Sequence, residues 1–87
     1  MTTENPMEAN LSTLVLSIAS TAAMNLGMAP NPSSGKTEQN LEMAKFNIDL
    51  LRVLEEKTQN NTSKDEADLI TKIISDLQMQ YVSMKKN

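Results

Sequence analysis

No ionisable side chain occurs between Ala9 and Gly35, although the rest of the chain is rich in Lys, Asp and Glu. Within that stretch Leu11, Leu14, Val15, Ile18, Ala22 and Leu26 recur at helical spacing. Asn10 stands where a side chain accepts from the free amides of a first turn, and Gly27 where a left-handed C-terminal cap belongs. A helix on the surface of a monomer carries charge on its outward side. The polar side here offers only Thr13, Ser17, Ser20 and Thr21, with Met24 among them. Such a helix wants neighbours on both sides. In 87 residues that points to self-association.

Composition narrows the chemistry. A chain this short holds one small domain and buries a modest share of its surface. Cys and His are both absent, which removes disulfide staples, thiolate nucleophiles, zinc sites of ordinary ligand type and the usual general base. No catalytic residue, cofactor or metal ligand is therefore expected. A net charge of −3, with one Phe and one Tyr, speaks against nucleic acid, which asks for a basic stripe and stacking platforms. Leu11–Met28 is short for a bilayer span, carries five Ser or Thr residues and Asn25, and has no flanking Lys or Arg before Lys36. Glu4 and Glu8 precede it, the wrong sign for a signal peptide, so a cytoplasmic location is expected.

The rest of the chain reads as two further helices. Met28–Gln39 is a linker of turn residues, with Pro30, Pro32 and Gly35. The second helix follows Asn40 and runs to about Lys57. At about 100° per residue, Leu41, Ala44, Ile48 and Leu51 share one side. Met43, Phe46, Leu50, Val53 and Leu54 fall on another, and Glu42, Lys45, Asp49 and Arg52 form a solvated arc. Apolar residues wrap well over half of this helix, so packing partners on two sides are expected. Ser63 with Glu66 makes a capping box for the third helix, with Asp65, Glu66 and Asp68 at the positive end of its dipole. Ala67, Ile70, Ile74, Leu77, Tyr81 and Met84 form its seam, widened by Ile73 and Val82.

Two short motifs invite an ATPase and fail on physical grounds. Ser34-Gly35-Lys36-Thr37 ends like a phosphate-binding loop, and Asp65-Glu66-Ala67-Asp68 matches the acidic signature of a helicase family. The loop needs glycine where Pro30 stands and a preceding strand, whereas a helix and two prolines come before it. The acidic motif here opens a helix instead of ending a buried strand. Glu55 and Glu56 are adjacent and point apart, so they make no catalytic pair. Of seven methionines, Met1 and Met7 lie in the lead, and the others are expected to fill gaps in the core or seam.

The expected fold class is all-α: a three-helix protomer, with helices about 11–26, 41–57 and 64–84, pairing as a helical homodimer. Residues 1–9 are expected as a disordered lead and 10–87 as one helical domain. Ala19 and Ala23 lie one turn apart, and Ser12 lies two turns before Ala19, a spacing that lets two backbones approach closely. The proposed pairing surface is Leu11, Ser12, Val15, Ala19, Ala22 and Ala23, assisted by Phe46 and Asn47 of the second helix. Asn47 interrupts the apolar arc, and two readings stay open: partial exposure at a rim, or a register-setting contact across an oligomer seam.

The run Leu11-Ser12-Thr13-Leu14-Val15-Leu16-Ser17-Ile18-Ala19-Ser20, closing at Leu26-Gly27, resembles the opening of a bacterial family known only as domain of unknown function 1844. The likeness continues through Pro30, Gly35-Lys36, Asn40-Leu41, Ala44, Ile48-Asp49-Leu50-Leu51 and Glu56-Lys57-Thr58. It closes on Asp76-Leu77, Met79 and Tyr81-Val82. The chain departs from that pattern at Leu11, Asn25, Gln78 and Gln80, where an aromatic, a His and basic residues are common. The resemblance implies a short cytoplasmic helical protein without an assigned activity, and brings no catalytic residue with it.

The function expected from these readings is that of a non-enzymatic structural or adaptor protein whose partner is itself. The alternative is peripheral attachment to a membrane through helix 11–26.

Overall fold

The computed structural model describes residues 8–85, and most of the expected lead, Met1–Met7, lies outside them. Three helices follow in order: α1 (Leu11–Asn25), α2 (Leu41–Lys57) and α3 (Lys64–Lys85). No strand occurs among the described residues.

Side-chain caps set where the helices start. The Thr13 amide donates to Asn10 Oδ1 at 2.9 Å, and the Met43 amide to Asn40 Oδ1 at 3.1 Å. Ser63 and Glu66 exchange two bonds, Glu66 N–H to Ser63 Oγ at 3.1 Å and Ser63 N–H to Glu66 Oε1 at 2.9 Å. That reciprocal pair is the capping box. At the far end of α1, Gly27 adopts φ +83°. The amides of Gly27 and Met28 then return to the carbonyls of Met24 and Ala23, each at 3.0 Å, closing a Schellman turn. These caps matter most for α1, which has no acidic residue in its first turn and no basic residue in its last.

The core draws equally on the three segments. Val15, Ala22 and Leu26 come from α1 and its cap, Ala44, Ile48 and Leu51 from α2, and Ile70, Ile74 and Leu77 from α3. α2 is the central element, meeting each neighbour more extensively than α1 meets α3. The linker is fastened to the end of α1: Asn40 N–H donates to the Asn25 carbonyl at 2.7 Å, and Gln39 Nε2 to that of Leu26 at 3.3 Å. The α1–α2 connection is therefore antiparallel and pinned at both of its ends.

The molecule is shallow. Its extents are 37 × 33 × 15 Å, so it is two helix layers deep. The radius of gyration is 14.1 Å, against about 12 Å for a compact domain of this length.

Three expectations need correction. The buried residues of α2 share one side, and the arc of Met43, Phe46 and Val53 is left exposed among the described residues. Ala67 and Val82 of the α3 seam are exposed, so the covered stripe of α3 is narrower than its spacing suggests. Met28, Met43 and Met79 are exposed as well, leaving only Met24 and Met84 half-buried as gap fillers.

Candidate interaction surface

The ionisable side chains are arranged as surface ladders. Lys45–Asp49, Lys64–Asp68 and Lys72–Asp76 pair one turn apart at 3.0, 2.9 and 2.9 Å, all well exposed. Lys64 is held above its ordinary pKa by its hydrogen bond to Asp68 and then by that carboxylate's charge. In open solvent such pairs contribute little. Glu55 accepts from Thr71 Oγ1 at 3.1 Å, joining α2 to α3. Among the described residues, no three carboxylates converge as a metal site would require. An open depression of about 270 Å³ lies beside Glu55 and Thr71 at the α2–α3 turn. The carboxylate at its edge is already engaged by Thr71.

The loop that resembles a phosphate cradle turns its amides inward. Gly35 N–H donates to the Asn31 carbonyl at 2.7 Å, Ser33 N–H to Asn31 Oδ1 at 2.8 Å and Lys36 N–H to Ser34 Oγ at 3.2 Å. Asn31 N–H closes the turn on the Lys36 carbonyl at 2.8 Å. Four of the loop's amides are thus engaged within the turn itself. Asp65 and Glu66 sit in the first turn of α3, as the cap requires.

The surface feature that stands out is apolar. Phe46 is 54% exposed, Val53 50% and Met43 43%, and Leu50 between them is half-buried. Met43, Phe46, Leu50 and Val53 follow one another at intervals of three, four and three residues, a continuous ridge along α2. The ridge borders the side of α2 that meets α1. Asn47, one residue beyond Phe46, donates to Asn25 Oδ1 across that junction at 2.9 Å. On the α1 side of the junction Leu14 is exposed and Thr21 and Ile18 are half-buried. Thr21 Oγ1 donates back to the Ser17 carbonyl at 3.2 Å, so its hydroxyl needs no partner from elsewhere. The outward side of α1 is thus less polar than its sequence suggests, with Leu14 and Leu16 open beside Ser17 and Ser20.

The residues expected to pair two copies separate into two groups. Val15 and Ala22 are fully buried inside the protomer, where they contribute to its own core. Asn47 is 7% exposed and also donates to the Met43 carbonyl at 3.0 Å, so its contact is within the chain, neither at a rim nor across a seam. Those three are corrected: α2 and α3 residues share the core with Val15 and Ala22, and Asn47 closes on Asn25 of α1. Leu11, Ser12, Ala19 and Ala23 are half-buried, with Leu11 and Ala19 packed on the core. Phe46 is open. The residues not assigned to the surface, Met43, Leu50 and Val53, are legible as an apolar arc of α2. What the arc does not disclose is that the protomer leaves it uncovered.

A family model described as Domain of unknown function (DUF1844) matches residues 8–83. No curated protein and no solved structure matches the chain.

Proposed function

We propose, for a chain that belongs to the domain of unknown function 1844 family, that it serves as a non-enzymatic, self-associating structural or adaptor protein of the cytoplasm. It works through protein–protein contacts. Membership brings no activity, so the reading is argued from the surface.

One observation carries it. Among the described residues eight large hydrophobic side chains are exposed, nearly as many as the nine apolar residues that are buried. Three of them form the ridge on α2. Scattered apolar residues are ordinary on any surface, but contiguous ones mark places where another molecule sits. The ion-free outer side of α1 lies next to that ridge, and on α2 itself the acidic row Glu42, Asp49 and Glu56 borders its other flank. Charge is depleted at the centre of protein interfaces for the same desolvation reason.

Sedimentation or light scattering at micromolar concentration tests the reading. The expected mass is a multiple of 9.6 kDa, with two copies the simplest closed assembly. A chain that stays at the monomer mass up to millimolar concentration would overturn it.

A further inference from the structure

We infer that the ridge Met43–Phe46–Leu50–Val53 takes one amphipathic helix of a different protein, whose apolar stripe is flanked on one side by Lys or Arg at seven-residue intervals. This assignment rests on the proposed work through protein–protein contacts and goes beyond self-association.

The pattern of α2 specifies the occupant. Met43, Phe46, Leu50 and Val53 alternate at three and four residues, so they hold the two seam positions of a heptad, continued by Lys57. Knobs of a facing helix fit the gaps of such a ridge. Glu42, Asp49 and Glu56 immediately precede Met43, Leu50 and Lys57. That is the flanking position whose charge chooses a partner, and here it is acidic every time. The opposite flank is different. Asn47 is 7% exposed, and Leu54 packs on the core. Beyond them α1 presents Leu14, Ser17 and Thr21 and no ion. A fitting helix is therefore basic on one flank and uncharged on the other.

A second copy does not meet this pattern. Antiparallel α2 helices would set the acidic row against itself. Parallel ones would set it against Asn47 and Leu54 of the other copy, neither of them charged. Like charge across a seam disfavours pairing, and opposite charge selects it. Self-association therefore falls to the ion-free outer side of α1, where a two-fold opposes no charges.

Within the row the three carboxylates are unequal. Lys45 engages Asp49 at 3.0 Å, and Arg52 stands on the far side of the row from the ridge. The selecting charge is chiefly that of Glu42 and Glu56, both exposed and about 21 Å apart along the helix. The net charge of −3 draws a cationic segment toward the protein. Apolar contact on the ridge then supplies affinity, and the row supplies choice.

Two labelled helical peptides of about three heptads test this. Both carry Leu at the seam positions and Ala or Gln elsewhere, with either Lys or Glu at the three flanking positions. Each is held dilute and titrated with the protein at low salt, with fluorescence anisotropy as the readout. The Lys peptide is expected to bind about ten-fold tighter than the Glu peptide. Glu42→Lys combined with Glu56→Lys should invert that preference. Asp68→Lys combined with Asp76→Lys makes the same change of net charge on α3 and should leave the preference in place. Phe46→Lys should weaken both peptides, with helix content retained because the side chain is more than half exposed.

No binding of either peptide, equal binding of both, or a preference erased equally by the α3 variant would overturn the assignment. Sedimentation of the chain alone reads self-association separately. A wild-type dimer dissociated by Phe46→Lys would give the ridge to a second copy, overturning the assignment while upholding self-association. A monomeric wild type that still selects the Lys peptide would remove self-association and uphold the ridge.

Discussion

At Asn47 one carboxamide holds two helices together. Its Nδ2 donates to Asn25 Oδ1 and to the Met43 carbonyl, at 2.9 and 3.0 Å, from a position that is nearly closed to water. Asn47→Asp removes both donors and turns a carboxylate toward two oxygens. The expected loss is about 1–3 kcal/mol, read by urea denaturation, and Asn47→Leu should cost less because it leaves no charge to desolvate. Equal stability of Asn47→Asp and the wild type would show that the contact is dispensable. The sequence marks Asn47 as an interruption in an apolar arc. Its partner lies across the linker, and nothing local to Asn47 points to Asn25. Gly27 is different, because its role is local. At φ +83°, an added Cβ would meet Gln39 Cβ at an ordinary 3.6 Å, so the penalty is backbone strain alone. Gly27→Ala is expected to cost about 1–2 kcal/mol, with Gly27→Asn milder, measured by thermal melting.

Among the elements, α1 and α3 are secured by different means. α3 has acidic residues at its start and Lys85 at its end, together with the capping box. Ser63→Ala is expected to lower stability by about 0.5–2 kcal/mol, and Glu66→Ala should reproduce part of that loss. If both variants melt like the wild type, the two bonds contribute nothing. α1 lacks terminal charges of either sign and depends on Asn10, Gly27 and its buried stripe. Such caps are visible in a sequence because they join residues two to five positions apart. The arcs of α2 are visible for the same reason, through helical periodicity. Which arc is covered is not visible, since both contain comparable apolar side chains. Leu51, fully buried, and Phe46, more than half exposed, illustrate the outcome. Leu51→Ala is expected to cost about 2–5 kcal/mol in chemical denaturation, whereas Phe46→Ala should leave the monomer's stability nearly unchanged and weaken docking at the ridge instead.

For the whole molecule, self-association makes stability depend on concentration. The melting temperature of the wild type is expected to rise with protein concentration. A wild-type melting temperature independent of concentration would count against pairing. Attachment to a membrane predicts a different response. No described helix is long and apolar enough to cross a bilayer, and α1 turns Val15 and Ala22 into the protein and offers no Lys or Arg to anionic headgroups. The wild type is expected to remain in the supernatant when liposomes are sedimented; recovery with the vesicles would favour the membrane. The covalent chain alone determined three helices, their caps and the placement of charge along them, because each depends on residues close together in sequence. Tertiary packing decided that Val15, Ala22 and Asn47 face inward and that Met43, Phe46 and Val53 face out. The reason is geometric. One helix flanked by two others has only so much circumference to bury, and the contacts that claim it come from residues distant in the chain.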